Sequence, residues 1–380
     1  NLLFWSGVSL GVSCLMKQPA VFFVLFSCLY LFHALKRLPD YRFRFFLLRG
    51  GLLLAGVLMP FGIMCGILYA SGMFEKFFFW TFTYALQYGS RIPLSLGWEK
   101  FLVSSLSAIG HFYLLCALAI AGLGSLLLNE TCRNRRTFVA GFFFFSFLAV
   151  CPGLYFRPHY FILLLPALSL LIGIGIGGIR TLDGSRNLRA QTLAGFLFIA
   201  VLIHGLYPYK AFFFEWTPTQ ACRYMYGINP FPESIEIARY IKSQSEEGDR
   251  IAVFGSEPQL YFLADRHSAT GYIYTYPLME EQKYARQMQK EMIDEVERAK
   301  PRFLVFVNVL TSWLPQSGSD RHIFRWLDAY STKHYDLTGV VEIVHGSNTR
   351  FRWGEQVWLS PPRTLDSLLI YKKKIPDPAP

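Results

Sequence analysis

Tyr155-Phe156-Arg157-Pro158-His159-Tyr160 separates two long apolar runs, 138 to 156 and 160 to 179. A guanidinium and an imidazole two residues apart at the mouth of an apolar helix cost free energy unless something anionic or polar meets them. Working outward, further apolar runs occupy 2 to 16, 18 to 34, 47 to 70, 101 to 128 and 191 to 208. A spanning helix needs about 20 apolar residues. The pattern therefore predicts seven membrane segments, the first of them short enough to be a truncated or half-spanning helix.

Composition agrees. Of 380 residues, 53% are hydrophobic and 17% aromatic, with 36 phenylalanines, far from an average soluble domain. Residues 1–228 carry 18 Lys and Arg against 6 Asp and Glu, whereas residues 229–380 carry 19 against 20. The positive charge thus sits in short loops between apolar runs, which points to membrane topology and away from nucleic acid. None of the seven cysteines falls in a metal-ligand spacing or a disulfide framework, and they read as small apolar fillers. The chain opens on Asn1 inside an apolar segment without a basic leader, so the natural amino terminus is expected upstream.

Three alternate loops are basic: Lys36, Arg37, Arg42 and Arg44; Arg133, Arg135 and Arg136; and Arg180, Arg186 and Arg189. One orientation puts all three in the cytoplasm. Lys17, the connection 71–100, the Arg157/His159 pair and everything after residue 208 then share the outer side. Lys17 has two readings, a lysine snorkelling to headgroups or a cation poised for a phosphate. Its company with Arg157 and His159 favours the second. Phe74, Phe77, Phe78, Trp80, Phe82 and Tyr84 suit a helix lying in the interface, broken afterwards by Gly89, Pro93 and Gly97. Glu75 and Glu99 are the acids of this connection, and solvation is the ordinary fate of such carboxylates. Gly173, Gly175, Gly177 and Gly178 end an apolar helix instead of opening one after a strand, so close helix packing fits them better than a dinucleotide loop.

After residue 208 the composition changes. Residues 209–230 read as an irregular linker, and 231–380 as a soluble α/β domain. Its signals are helical patterns from Pro232, over 257–264, over 279–299 and near 320–331, alternating with strands at 250–254, 302–307, 339–345 and 367–373. It has no Walker loop, no GxSxG and no metal cluster, so it is read as recognising or covering something.

Gly7 and Gly11 leading to Lys17-Gln18-Pro19, then Arg157-Pro158-His159-Tyr160 running into Leu163-Leu164-Leu165-Pro166, resemble bacterial members of the protein mannosyltransferase and aminoarabinose transferase superfamily. Ile237-Ala238-Arg239-Tyr240-Ile241 and Tyr261-Phe262-Leu263-Ala264 follow in the same order. The resemblance implies a polytopic α-helical membrane protein of GT-C-like fold, with residues 1–208 as its transmembrane domain, in the bacterial inner (plasma) membrane. It implies an inverting glycosyltransferase, metal-optional toward a divalent ion, that uses a polyprenyl-phosphate-linked sugar and a glycan, lipid or protein acceptor outside the cytoplasm. Lys17 and Arg157 would bind the donor phosphate, with His159 orienting it or assisting proton movement, and Gln18, Tyr160 and Glu75 would line the site. The family's acidic base is expected upstream of Asn1, so no catalytic carboxylate is named. A non-enzymatic transporter or receptor for lipid-linked glycans is the alternative from another class.

Overall fold

The computed structural model describes residues 2–39, 42–89, 92–181, 188–344, 349–358, 364 and 366–374, with backbone alone at 88, 131, 179–181 and 188–191. The basic loop with Arg180, Arg186 and Arg189 lies outside the described side chains. The chain divides into two compact units, Asn1–Lys210 and Ala211–Pro380.

The first unit is helical: α1 (Leu2–Met16), α2 (Val21–Lys36), α3 (Phe43–Ala70), α4 (Leu94–Ile109), α5 (Tyr113–Leu128), α6 (Arg133–Val150), α7 (Leu165–Thr181) and α8 (Leu188–Leu206). Among the described residues, five helical stretches are long and apolar enough to cross a membrane: Gln18–Lys36, Phe43–Ala70, Leu94–Leu128, Pro158–Gly178 and Thr192–Phe214. That is fewer than the seven expected. α1 is apolar but short. The run 138–156 falls short of a full-length span, because α6 spends its first turn on Arg133, Arg135 and Arg136 and stops at Val150. What remains is roughly 20 Å of apolar helix, against a hydrocarbon core of about 30 Å.

Two other expectations also change. The run 101–128 begins earlier, at Leu94, and bends at Gly110, where φ is +43° and a short 3-10 turn, Gly110–Phe112, joins α4 to α5. Gly97, expected to break the chain, is buried inside α4, where a Cβ would press on Leu154. The segment from Phe74 is helical as expected, as Phe74–Phe78 continued by a π-helical segment, Phe79–Tyr84.

Close backbone approach joins these helices. A side chain on Gly7 or Gly11 of α1 would run into the carbonyls of Leu53 and Val57 on α3, and one on Gly122 of α5 into the Leu171 carbonyl of α7. Gly175 of α7 meets Leu118 of α5 in the same way, whereas Gly173 and Gly177 face open space. Small residues let helix axes approach where lipid removes most of the hydrophobic drive to associate. Aromatic packing supplies the rest: Phe26 of α2 lies 5.4–5.9 Å from the rings of Phe138, Phe142 and Phe145 on α6.

The second unit opens on α9 (Pro218–Tyr226) and α10 (Phe231–Ser243). Where the sequence suggests irregular chain, Thr217 and Gln220 form a capping box and Pro218 takes the first helical position, so α9 is a well-started helix. A six-stranded sheet follows in the order β2-β1-β3-β6-β4-β5. Its strands are β1 (Arg250–Phe254), β2 (His267–Ser268), β3 (Phe303–Asn308), β4 (Tyr335–Glu342), β5 (Arg350–Trp353) and β6 (Ser367–Lys373). β2, β1 and β3 are parallel; β6, β4 and β5 add antiparallel neighbours. α11 (Gln259–Ala264), α12 (Ala285–Ala299), α13 (Leu310–Trp313) and α14 (His322–His334) complete the unit. Ile237 and Ile241 of α10 pack on Ile251, Val253, Phe303 and Val305 in an aliphatic core.

Candidate functional site

Lys17 stands between α1 and α2 with an extended backbone, φ −155° and ψ 121°, and caps the short turn Gln18–Ala20 whose second residue is Pro19. That break from helix geometry turns the lysine sideways. It is half-buried, and its Nζ lies 4.3 Å from the centroid of the Tyr160 ring. At such a distance the ring quadrupole attracts the ammonium.

Tyr160 belongs to the segment that follows α6. Here the chain leaves the helix through Pro152–Leu154, where Gly153 has φ +74°, Leu154 φ +55° and Phe156 φ +44°. Two non-glycine residues in the left-handed region cost on the order of 1–3 kcal/mol each. Packing holds them there. Phe156 is 5% exposed, in a cluster with Val150 and Leu164, and its ring centroid is 5.2 Å from that of Phe101 on α4. Leu154 seats against Gly97 of the same helix. The strained turn delivers Arg157 in an extended conformation, φ −62° and ψ 142°, directly before Pro158 and the 3-10 segment Pro158–Leu164.

Arg157 and His159 are exposed. The Arg157 guanidinium lies 5.7 Å from the centroid of the Tyr155 ring, and the His159 ring meets Tyr160 edge to face at 4.7 Å. Both Lys17 and Arg157 come close enough to His159 to act on it electrostatically. The structure therefore brings Lys17, Arg157, His159 and Tyr160 together: a lysine, an arginine and an imidazole set against aromatic rings. Such a group can accept an anion with several oxygen acceptors, the guanidinium as a planar fork and the ammonium as a point charge.

The remaining expected site residues sit differently. Gln18 donates from Nε2 to the Thr81 carbonyl at 3.0 Å, tying the start of α2 to the π-helical segment. Glu75 is exposed on Phe74–Phe78 and, among the described residues, makes no hydrogen bond or ion pair with Lys17, Arg157 or His159. Among the described residues no three His, Cys, Asp or Glu side chains gather as metal ligands, so none is assigned to a metal.

Sequence reasoning missed a polar cluster in the second unit. The chain leaves β1 toward β2 on one side and β3 toward β4 on the other, so their carboxyl ends flank a topological switch point. There Ser312 donates to Glu257 Oε2 at 2.7 Å while accepting from the Ser256 amide at 2.9 Å, and the Ser256 and Thr275 hydroxyls lie 3.1 Å apart. Glu257 is 4% exposed, and burial pushes its carboxyl from an ordinary value near 4.5 up to about 7, partly offset by the Ser312 hydroxyl. The available signal was Gly255-Ser256-Glu257-Pro258 directly after a buried strand; Gly255, at φ +154°, leaves no room for a Cβ beside Glu257 and Ser312.

No protein-family model matches this chain, and no curated protein matches it either.

Proposed function

We propose that the chain is a polytopic membrane glycosyltransferase of GT-C type. It moves a sugar from a polyprenyl-phosphate carrier to an acceptor on the outer face of a bacterial inner membrane. The observation that supports this reading is the meeting of Lys17, from the α1–α2 junction, with Arg157, His159 and Tyr160 from the segment after α6. This reading takes α6 as a short crossing; the three basic loops then share the cytoplasm and this group faces outward, on the side where a lipid-linked donor would present its phosphate.

In the reaction the bond between the anomeric carbon and the phosphate oxygen breaks, its electron pair staying on the phosphate. The acceptor oxygen bonds to the anomeric carbon and gives up its proton, which the released phosphate, by way of water, can take up. Charge develops on the leaving phosphate as the sugar becomes oxocarbenium-like, so cations already aimed at those oxygens stabilise the transition state more than the ground state. Lys17 and Arg157 take that role, and His159 orients the phosphate. The second unit is assigned the acceptor.

The test is transfer in proteoliposomes from a panel of radiolabelled sugars on undecaprenyl phosphate. Arg157→Ala and Lys17→Ala are each expected to lower kcat by about 100- to 1000-fold, the scale of one lost preorganised donor, with the thermal unfolding curve unchanged. Arg157→Lys should recover part of the rate. Transfer at the parental rate in both alanine variants would sink the phosphate site. Carrier binding that both variants lose, with no transfer from any donor, would favour a transporter or receptor.

A further inference from the structure

One face of α9 and the first turn of α10, with Thr349 and Phe351, bound a cavity of about 640 Å³, within the range of small-molecule sites. Glu233 closes it from the first turn of α10, where the helix N-terminus favours negative charge. The carboxylate is 2% exposed. Its Oε1 accepts from Arg223 and from Thr349. Arg223 also donates to the carbonyls of Gly227 and Asn229, both at 3.2 Å, so the ion pair clamps the turn between α9 and α10.

That clamp uses only one carboxylate oxygen. Glu233 Oε2 is buried with no hydrogen-bond partner. An ionised oxygen left so in a folded protein costs the desolvation of a charged acceptor, and calls for an explanation such as a missing ligand. The cavity that Glu233 lines is also walled by Trp216 and Tyr224, their ring centroids 4.9 Å apart, and by Phe351. Gln220, also in the lining, uses its carbonyl oxygen in the α9 capping box, and its amide nitrogen makes no hydrogen bond among the described residues.

We infer that this cavity binds a neutral saccharide, a ring whose C–H face packs on Trp216 and Tyr224 while its hydroxyls donate to Glu233 Oε2 and accept from Gln220. The chemistry selects among ligands. An anion would meet an acceptor oxygen that has nothing to take from it. A cation would meet the Arg223 guanidinium, which already balances the Glu233 charge. A polyol with one apolar face satisfies both the orphan acceptor and the aromatic wall. The inference stands on the cavity alone; if the transferase reading holds, it makes the acceptor a glycan.

The experiment is saturation-transfer difference NMR on the full chain in nanodiscs, free of sugar-headed detergent, with maltotriose, mannotriose and chitotriose as probes and tetramethylammonium as the cationic control. At least one trisaccharide is expected to receive saturation. Tyr224 is 61% exposed, so its truncation removes ring contacts at the surface and leaves the buried core in place, and Tyr224→Ala should weaken that binding about tenfold; Glu233→Gln should do so by tenfold or more, as for a lost hydrogen bond to a charged group. No saturation of any trisaccharide, equal binding by Tyr224→Ala, or binding of tetramethylammonium in preference to the sugars would overturn the inference. Because binding is read without catalysis, its failure is separate from failure of the transfer assay.

Discussion

The two units of this chain bury opposite things. In the first, large apolar side chains point outward: Leu58 is 64% exposed, Leu106 70% and Phe196 67%, while the buried points of α1 are glycines and those of α3 are Gly50 and Gly56 with Leu53. In the second, Ile237, Ile241, Phe254 and Phe303 are all at 0%. The difference follows from the solvent each surface meets. Leucine gains nothing by leaving lipid for a neighbouring helix, so cohesion there comes from backbone approach and ring contact. In water the same side chain is worth about 1.5–3 kcal/mol when buried.

The comparison breaks first at a glycine. Gly122→Val would drive a side chain into the Leu171 carbonyl, and the expected cost is about 3 kcal/mol or more, as α5 and α7 must separate. Hydrogen-exchange mass spectrometry should show peptides of α5 and α7 losing protection while those of β1 and β3 keep theirs. Simultaneous loss in all four would mean one cooperative block in place of two units with separate sources of cohesion.

Glu257 sharpens the comparison from the other side. The folded state keeps its proton to about pH 7, whereas the unfolded carboxyl releases it near 4.5. The folded state therefore binds more protons in between, and stability, full below pH 4.5, falls as pH rises toward 7 and then levels. The loss is on the order of 3 kcal/mol. Protection of β1 and β3, corrected for intrinsic exchange, should drop between pH 5 and pH 8 in the parent and stay level in Glu257→Gln. The same drop in Glu257→Gln would assign the titration to another group.

The smallest effect is expected at Gly124, which points into open space on the same helix as Gly122. Gly124→Ala should change stability by less than about 1 kcal/mol, toward stabilisation, since alanine is the better helix former. A large loss in thermal unfolding would show that α5 packs tightly on more than its Gly122 face.

The sequence made the apolar runs legible because a span is written locally, residue after residue. Its failures came where length and geometry part. The run 138–156 counted enough apolar residues, but α6 began on arginines and ended at Val150. β1, β3 and β6 were legible as buried runs, whereas β2 has two residues and β5, Arg350-Phe351-Arg352-Trp353, is punctuated by arginines. At the candidate site, charge and topology grouped Lys17 with Arg157 and His159, but the seat of Lys17 on Tyr160 depends on packing between distant segments. Glu233 and Glu257 stayed hidden for a plain reason. A carboxylate in sequence looks solvated, and its burial is decided by residues far along the chain, Thr349 for one and Ser312 for the other.

The turn from Gly153 to Phe156 also bears on the order of assembly. An isolated peptide of this sequence would relax Leu154 and Phe156 out of the left-handed region, and Arg157 would point elsewhere. Only after α4 has presented Gly97 and Phe101 does the turn have a mould to hold it. The position of Arg157 is thus tied to a helix well before it in the chain, and a change at Gly97 or Phe101 is expected to move it.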